Sequence, residues 1–211
     1  MLMNEIQAIV VKPKQGGYTI IELGIALTII AVLIVAGLTG VNSLLLSSKA
    51  NTQIEESGRA LAKLQAILTS TQVSGITTAS ANGMGLFPAS RVAANVVTTA
   101  MGGGNEFVRS NSNAALSDSS NGITLALNTG AVYTLTNIPR GVCADIASSL
   151  ASISAAAYVY NATPTEGNAG DNTNLTLANQ IKAPGGNVLG AAMGTQCNTA
   201  ALVSMSFVLR P

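Results

Sequence analysis

Few residues in this 211-residue chain can do chemistry, and the position of one of them is unusual. Glu22 lies four residues after Tyr18, just beyond the pair Gly16-Gly17, and no further charge appears until Lys49. A carboxylate within an apolar membrane segment costs roughly 2.5–3.5 kcal/mol at its centre, so it is rare there without a partner. The partner expected here is a positive charge on another copy of the chain. Cys143 and Cys197 are the only cysteines. Behind an export segment they point to one disulfide formed in an oxidising compartment, with two buried free thiols as the alternative. Closing that loop stabilises a fold by about 4 kcal/mol in the chain-entropy model.

The rest of the composition excludes whole classes of function. The chain has no histidine, so a Ser-His-Asp or Cys-His arrangement is impossible within it, and two cysteines do not make a zinc site. Asp145, Glu166 and Asp171 are scattered carboxylates that read as solvated loop charges. We therefore expect no enzyme, no metal and no cofactor. Only 9% of residues are charged, and from Tyr18 onward eight of each sign remain. No basic excess marks a nucleic-acid surface, so direct nucleic-acid binding is not expected.

The elements that position Glu22 follow from hydropathy. Leu23 to Val41 nearly supplies the about 20 apolar residues that a membrane-crossing helix needs. Residues 1–17 carry Lys12 and Lys14 without an apolar core of their own, the reverse of the order in a secretory signal. An ordinary N-terminal anchor with a short cytoplasmic tail also fits that charge placement. No proline occurs from Tyr18 to Ser74, and Ile54, Leu61, Leu64 and Leu68 form one stripe of an amphipathic helix. Glu55, Arg59 and Lys63 follow at steps of four on a polar face. Gly75 is the expected stop, which gives a helix of about 57 residues and about 85 Å.

The basic leader ending at Gly17, Tyr18 after it, Glu22 at the fifth position beyond the glycine and the apolar helix together resemble the N-terminus of type IV pilins and the related pseudopilins of type II secretion. The resemblance implies that prepilin peptidase cuts between Gly17 and Tyr18 and methylates the new amino group. It also implies that Glu22 accepts the amine of Tyr18 from a neighbouring subunit during assembly. Tyr18 stands where the family more often has Phe, Met or Leu. Many pilins carry a proline in this part of the helix, where this chain has Gly37, Thr39 and Gly40. The leader length, a mature chain near 190 residues and the large cysteine loop are most like the type IVb subclass.

Beyond residue 75 the expected fold is α+β: an antiparallel β-sheet head, residues 75–211, packed on the amphipathic helix half at 49–74, with an apolar transmembrane or filament-core half at 18–48 and a removable leader at 1–17. Gly102-Gly103-Gly104 reads as a flexible bend, with short helical pieces at 89–101. Ile123–Leu127 and Ala131–Thr136 read as a hairpin joined by Asn128-Thr129-Gly130. A helix is expected from near Pro139 through Ile153, strands at Ala156–Tyr160 and at 203–209, and an exposed loop at 161–174, for four to six strands in all.

The function expected is therefore a major structural subunit of a type IVb pilus, serving adhesion, cell aggregation or conjugative contact. A minor pilin or type II secretion pseudopilin, and a membrane-anchored adhesin that never polymerises, are the alternatives. The expected partners are other copies of the chain, prepilin peptidase, the inner-membrane pilus assembly machinery and, before assembly, the membrane. The precursor would lie in a bacterial inner membrane and the product in an extracellular pilus.

Overall fold

The computed structural model describes residues 17–70, 75–94, 96–110, 130–165 and 175–210. Its helix α1 runs from Ile20 to Ser70. Helix α1 begins two residues later than expected, because Thr19 caps it: the Thr19 Oγ1 accepts the Glu22 N–H at 3.2 Å. Residues 71–74, which the sequence assigns to the same helix, lie outside the described residues. The chain divides into two units, Met1–Ser43 and Leu44–Pro211.

Within the second unit, α1 packs on a sheet that has seven strands among the described residues, with every pairing between them antiparallel. Helix α2 (Thr78–Gly83) comes first, held by a Thr77–Ser80 capping box. Strands β1 (Val92–Ala93), β2 (Val96–Thr98), β3 (Asn105–Ser110) and β4 (Ala131–Pro139) follow. Then come α3 (Arg140–Ile153), β5 (Ala156–Tyr160), β6 (Gln180–Lys182), α4 (Gly190–Cys197) and β7 (Leu202–Leu209). The sheet order is β1-β2-β3-β4-β7-β5-β6.

Alternation along the strands sorts side chains to two faces. Tyr133 and Leu135 of β4, Val159 of β5 and Met205 and Phe207 of β7 join Leu61, Leu64 and Leu68 of α1 and Ile146 and Leu150 of α3 in the main core. Val132, Tyr158, Tyr160, Leu175 and Val208 form a smaller cluster apart from it. The buried line on α1 is Ala50, Gln53, Ser57, Ala60, Leu61, Leu64 and Leu68, whereas Ile54 is only half-buried. The apolar stripe thus continues toward the N-terminus as polar and small residues.

Two expectations change, one matches and one falls outside the described residues. Residues 89–101 form one 3₁₀ turn, Ala89–Arg91, followed by β1 and β2 rather than a run of helical pieces. The glycine run forms the expected bend, closed by the Gly102 N–H to the Thr99 carbonyl at 3.1 Å and the Thr99 N–H to the Gly104 carbonyl at 2.9 Å. Gly102 and Gly103 have φ of +77° and +76°, and a Cβ on Gly104 would lie 2.0 Å from the Thr136 carbonyl oxygen. Strand β4 pairs with β3 on one edge and β7 on the other; Ile123–Leu127, the expected hairpin partner, lies outside the described residues. Among the described residues the sheet has seven strands instead of four to six, since β1, β2, β3 and β6 come from segments without a clear alternation. Residues 161–165 are described within the expected loop and are exposed except for Pro164.

Candidate functional site: an exposed apolar helix with one carboxylate

The N-terminal unit has an unusual balance of burial. An 18-residue window of α1 has a mean hydropathy of 2.6, and none of it is buried within the chain. A core helix of a soluble protein hides such a window against its own sheet. Here Ile20 is 90% exposed and Leu33 65%. Surface of that size and hydrophobicity is stable only against lipid or protein.

The details of the segment suit a medium without water. The hydroxyl of Thr28 donates to the Ile25 carbonyl at 2.8 Å, and that of Thr39 to Ala36 at 2.8 Å. Both polar groups are thereby satisfied inside the helix, as a hydrocarbon or protein surround demands. A Cβ on Gly24, Gly37 or Gly40 would meet nothing within 4 Å. The chain's own packing does not require these glycines, which leave backbone open to close approach from outside.

Glu22 sits in the first turn of α1 and is exposed. Its backbone N–H is the one that Thr19 caps, and a carboxylate there is favoured by the helix dipole. Thr19-Ile20-Ile21-Glu22 is also the sequence of a capping box, a signal that locates the helix start and that the motif-based reading passed over. Among the described residues, the reciprocal bond from the Thr19 N–H to the Glu22 carboxylate is not made. Gly17 and Tyr18 precede the helix, and Tyr18 is 82% exposed. The structure therefore places Gly17, Tyr18 and Glu22 on one accessible stretch without bringing them into a closed site.

The cysteines lie in the other unit. Cys143 of α3 and Cys197 of α4 form a disulfide with a Cα–Cα distance of 5.7 Å and a sequence separation of 54. It ties α4, which has no side-chain cap at Leu189, to the core helix α3. Lys182 adds a second fastening, donating to the Ala151 and Ser154 carbonyls at the C-terminal end of α3, each at 2.7 Å. The exposed Arg59–Glu55 pair at 2.7 Å adds little to stability.

Where α1 meets the sheet there is a polar cluster that the sequence reading missed. Gln53 Nε2 donates to Ser57 Oγ at 2.7 Å and to Glu106 Oε1 at 2.8 Å. Tyr133 OH lies 2.8 Å from Ser57 Oγ and donates to Glu106 Oε2 at 2.5 Å. Gln53 Oε1 accepts the Ala100 N–H at 2.6 Å. Burial pushes the Glu106 carboxyl above its ordinary value, and the bonds from Tyr133 and Gln53 pull the other way. The available signal was Gln53 and Ser57 at i, i+4 in line with Leu61, Leu64 and Leu68.

No protein-family model and no curated protein matches the chain. Among solved structures it is similar to the crystal structure of TcpA, a type IV pilin from Vibrio cholerae El Tor biotype. The identity is 14% and the TM-score 0.48, over 76% of this chain and 98% of that one. At that distance the likeness assigns no function.

Proposed function

We propose that this chain is the major subunit of a type IVb pilus, made as a membrane-anchored precursor and polymerised through its N-terminal helix. One observation carries the proposal: an apolar helical segment wholly exposed on the chain, with a single carboxylate, Glu22, in its first turn. Lipid covers that surface before assembly, and the same segment of neighbouring subunits covers it afterwards. Removal of residues 1–17 frees the amine of Tyr18, and Glu22 of an adjacent subunit accepts it. An unpaired charge in such a core is costly, so the register in which amine and carboxylate meet is favoured. Prepilin peptidase and the inner-membrane assembly machinery are the partners this route requires.

Mass spectrometry of the N-terminus tests the reading. A chain starting at a methylated Tyr18 supports it, and an intact Met1 on the cell-surface protein overturns it in favour of an anchored adhesin. The abundance of the chain in sheared filaments separates a major pilin from a minor pilin or pseudopilin.

A further inference from the structure

Glu106 of β3 is 2% exposed, yet among the described residues no cation forms an ion pair with it. Among the described residues, the charged groups that face it are Glu56 of α1 and Arg91 of the 3₁₀ turn, and these pair with each other at 2.6 Å. Strand β2 meets Glu106 through Val97, which does not titrate. Strand β4 contributes the Tyr133 hydroxyl, and α1 contributes Gln53 and Ser57. The connection after β2 contributes the Ala100 N–H to Gln53.

Counting protons around this ring gives two states. With Glu106 ionised, Tyr133 donates to Oε2, Ser57 donates to Tyr133, and Gln53 donates to Ser57 and to Oε1. The carboxylate then holds two donors where it can accept about four. With Glu106 protonated, its O–H donates to Tyr133, whose hydroxyl turns to Ser57, while both Gln53 bonds persist; the displaced Ser57 proton then leaves the ring and turns to a carbonyl of the preceding helical turn, as helical serines do. No heavy atom has to move between the two states. They differ in one buried charge and in the Ser57 proton, which stays in the ring only when Glu106 is ionised; of the two differences the buried charge without a bound cation is the costlier.

We propose that Glu106, Gln53, Ser57 and Tyr133 form a proton-operated latch between α1 and the sheet: a proton on Glu106 tightens the seat of residues 50–64, and its loss loosens that seat. The latch lies within the head and does not depend on the pilin reading. Its direction follows from linkage. Burial raises the folded Glu106 above the ordinary value of 4.5, so the seated form binds the proton more tightly than the opened form. The added stability is complete below about pH 4.5 and is lost as pH rises through the folded pKa.

The test is hydrogen exchange by mass spectrometry on the full-length chain in detergent micelles, between about pH 4 and pH 8, with intrinsic rates corrected. In the wild type, the opening constant for peptides covering 50–64 and 105–110 should rise about tenfold per pH unit above pH 4.5 until the folded midpoint. Glu106→Gln, which keeps the shape without the charge, should show no such rise, and parallel profiles for the two proteins would overturn the latch. Should Glu106→Gln fail to fold, carboxyl-carbon NMR of wild-type Glu106 decides: a midpoint above 4.5 supports the latch, and one at or below 4.5 overturns it. Tyr133→Phe removes a bond that favours the ionised form, so it should raise that midpoint further; a purely structural hydroxyl would leave it in place.

Discussion

The Thr19 hydroxyl caps the helix at the residue that carries the lone carboxylate, accepting the Glu22 N–H at 3.2 Å. The cap uses the Glu22 backbone and the proposed assembly contact uses its side chain, so the two roles separate by mutation. Thr19→Ala should weaken the first turn by about 0.5–2 kcal/mol while leaving the carboxylate in place. Glu22→Gln should leave the cap and the processed precursor in place and abolish or severely reduce filaments. Electron microscopy of sheared surface material reads both. Normal filaments from Glu22→Gln would remove charge pairing from the mechanism.

Gly17 makes a cleaner case than a buried glycine. Its φ is not positive, and a Cβ there would meet nothing within 4 Å. The chain itself therefore imposes no need for glycine, and any need arises from a partner that reads the backbone closely. Gly17→Ala, or a bulkier residue, should leave the fold unaltered and block removal of residues 1–17. The gel mobility of the variant should remain that of the precursor, and a fully processed variant would move the cut elsewhere.

The apolar half of α1 was legible because hydropathy alone determines it: a charge-free stretch from Leu23 to Ser48 needs no tertiary information. Strand β7 was legible for a similar reason, with Val203, Met205, Phe207 and Leu209 all facing the main core. Helix α4 was not. Gly190-Ala-Ala-Met-Gly-Thr-Gln-Cys197 has two glycines, no apolar period and no side-chain cap, and a disulfide holds it in place. Strand β3 was also missed, because Glu106 breaks the apolar run at Phe107-Val108, and only its hidden partners Gln53 and Tyr133 explain a carboxylate there. Long-range pairing of polar residues leaves no local pattern to read. Of the site residues, Gly17, Tyr18 and Glu22 were visible as a motif, whereas the Thr19 cap that starts their helix was not used.

The disulfide should matter for stability more than for assembly geometry. Cys143 is completely buried, and Cys197 is 6% exposed. Replacing both with serine opens a loop of 54 residues, for which the chain-entropy model gives a loss of about 4 kcal/mol. Denaturant melts of oxidised wild type, reduced wild type and the double variant should show one large drop shared by the last two. A double variant as stable as the oxidised protein would contradict the expectation.

Alkali gives a separate test of the head core. Tyr158 and Tyr160 belong to the smaller apolar cluster and Tyr133 to the main one. Burial pushes the phenols of Tyr158 and Tyr160 up to about 12, and that of Tyr133 well above its ordinary value of 10.0. Each folded phenol holds its proton more tightly than the unfolded chain does. The corresponding stability is therefore complete below about pH 10 and, for Tyr158 and Tyr160, is lost as pH rises through about 12. The loss should approach about 1.4 kcal/mol per pH unit for each tyrosine in that window. Tyr160→Phe should lower the slope by one tyrosine's share, because it removes the ionisable group while Ser206 keeps its bond to Thr134 at 2.9 Å. Denaturant midpoints between about pH 9 and pH 11.5 measure this. Equal slopes for wild type and Tyr160→Phe would mean that Tyr160 is not shielded in the folded head.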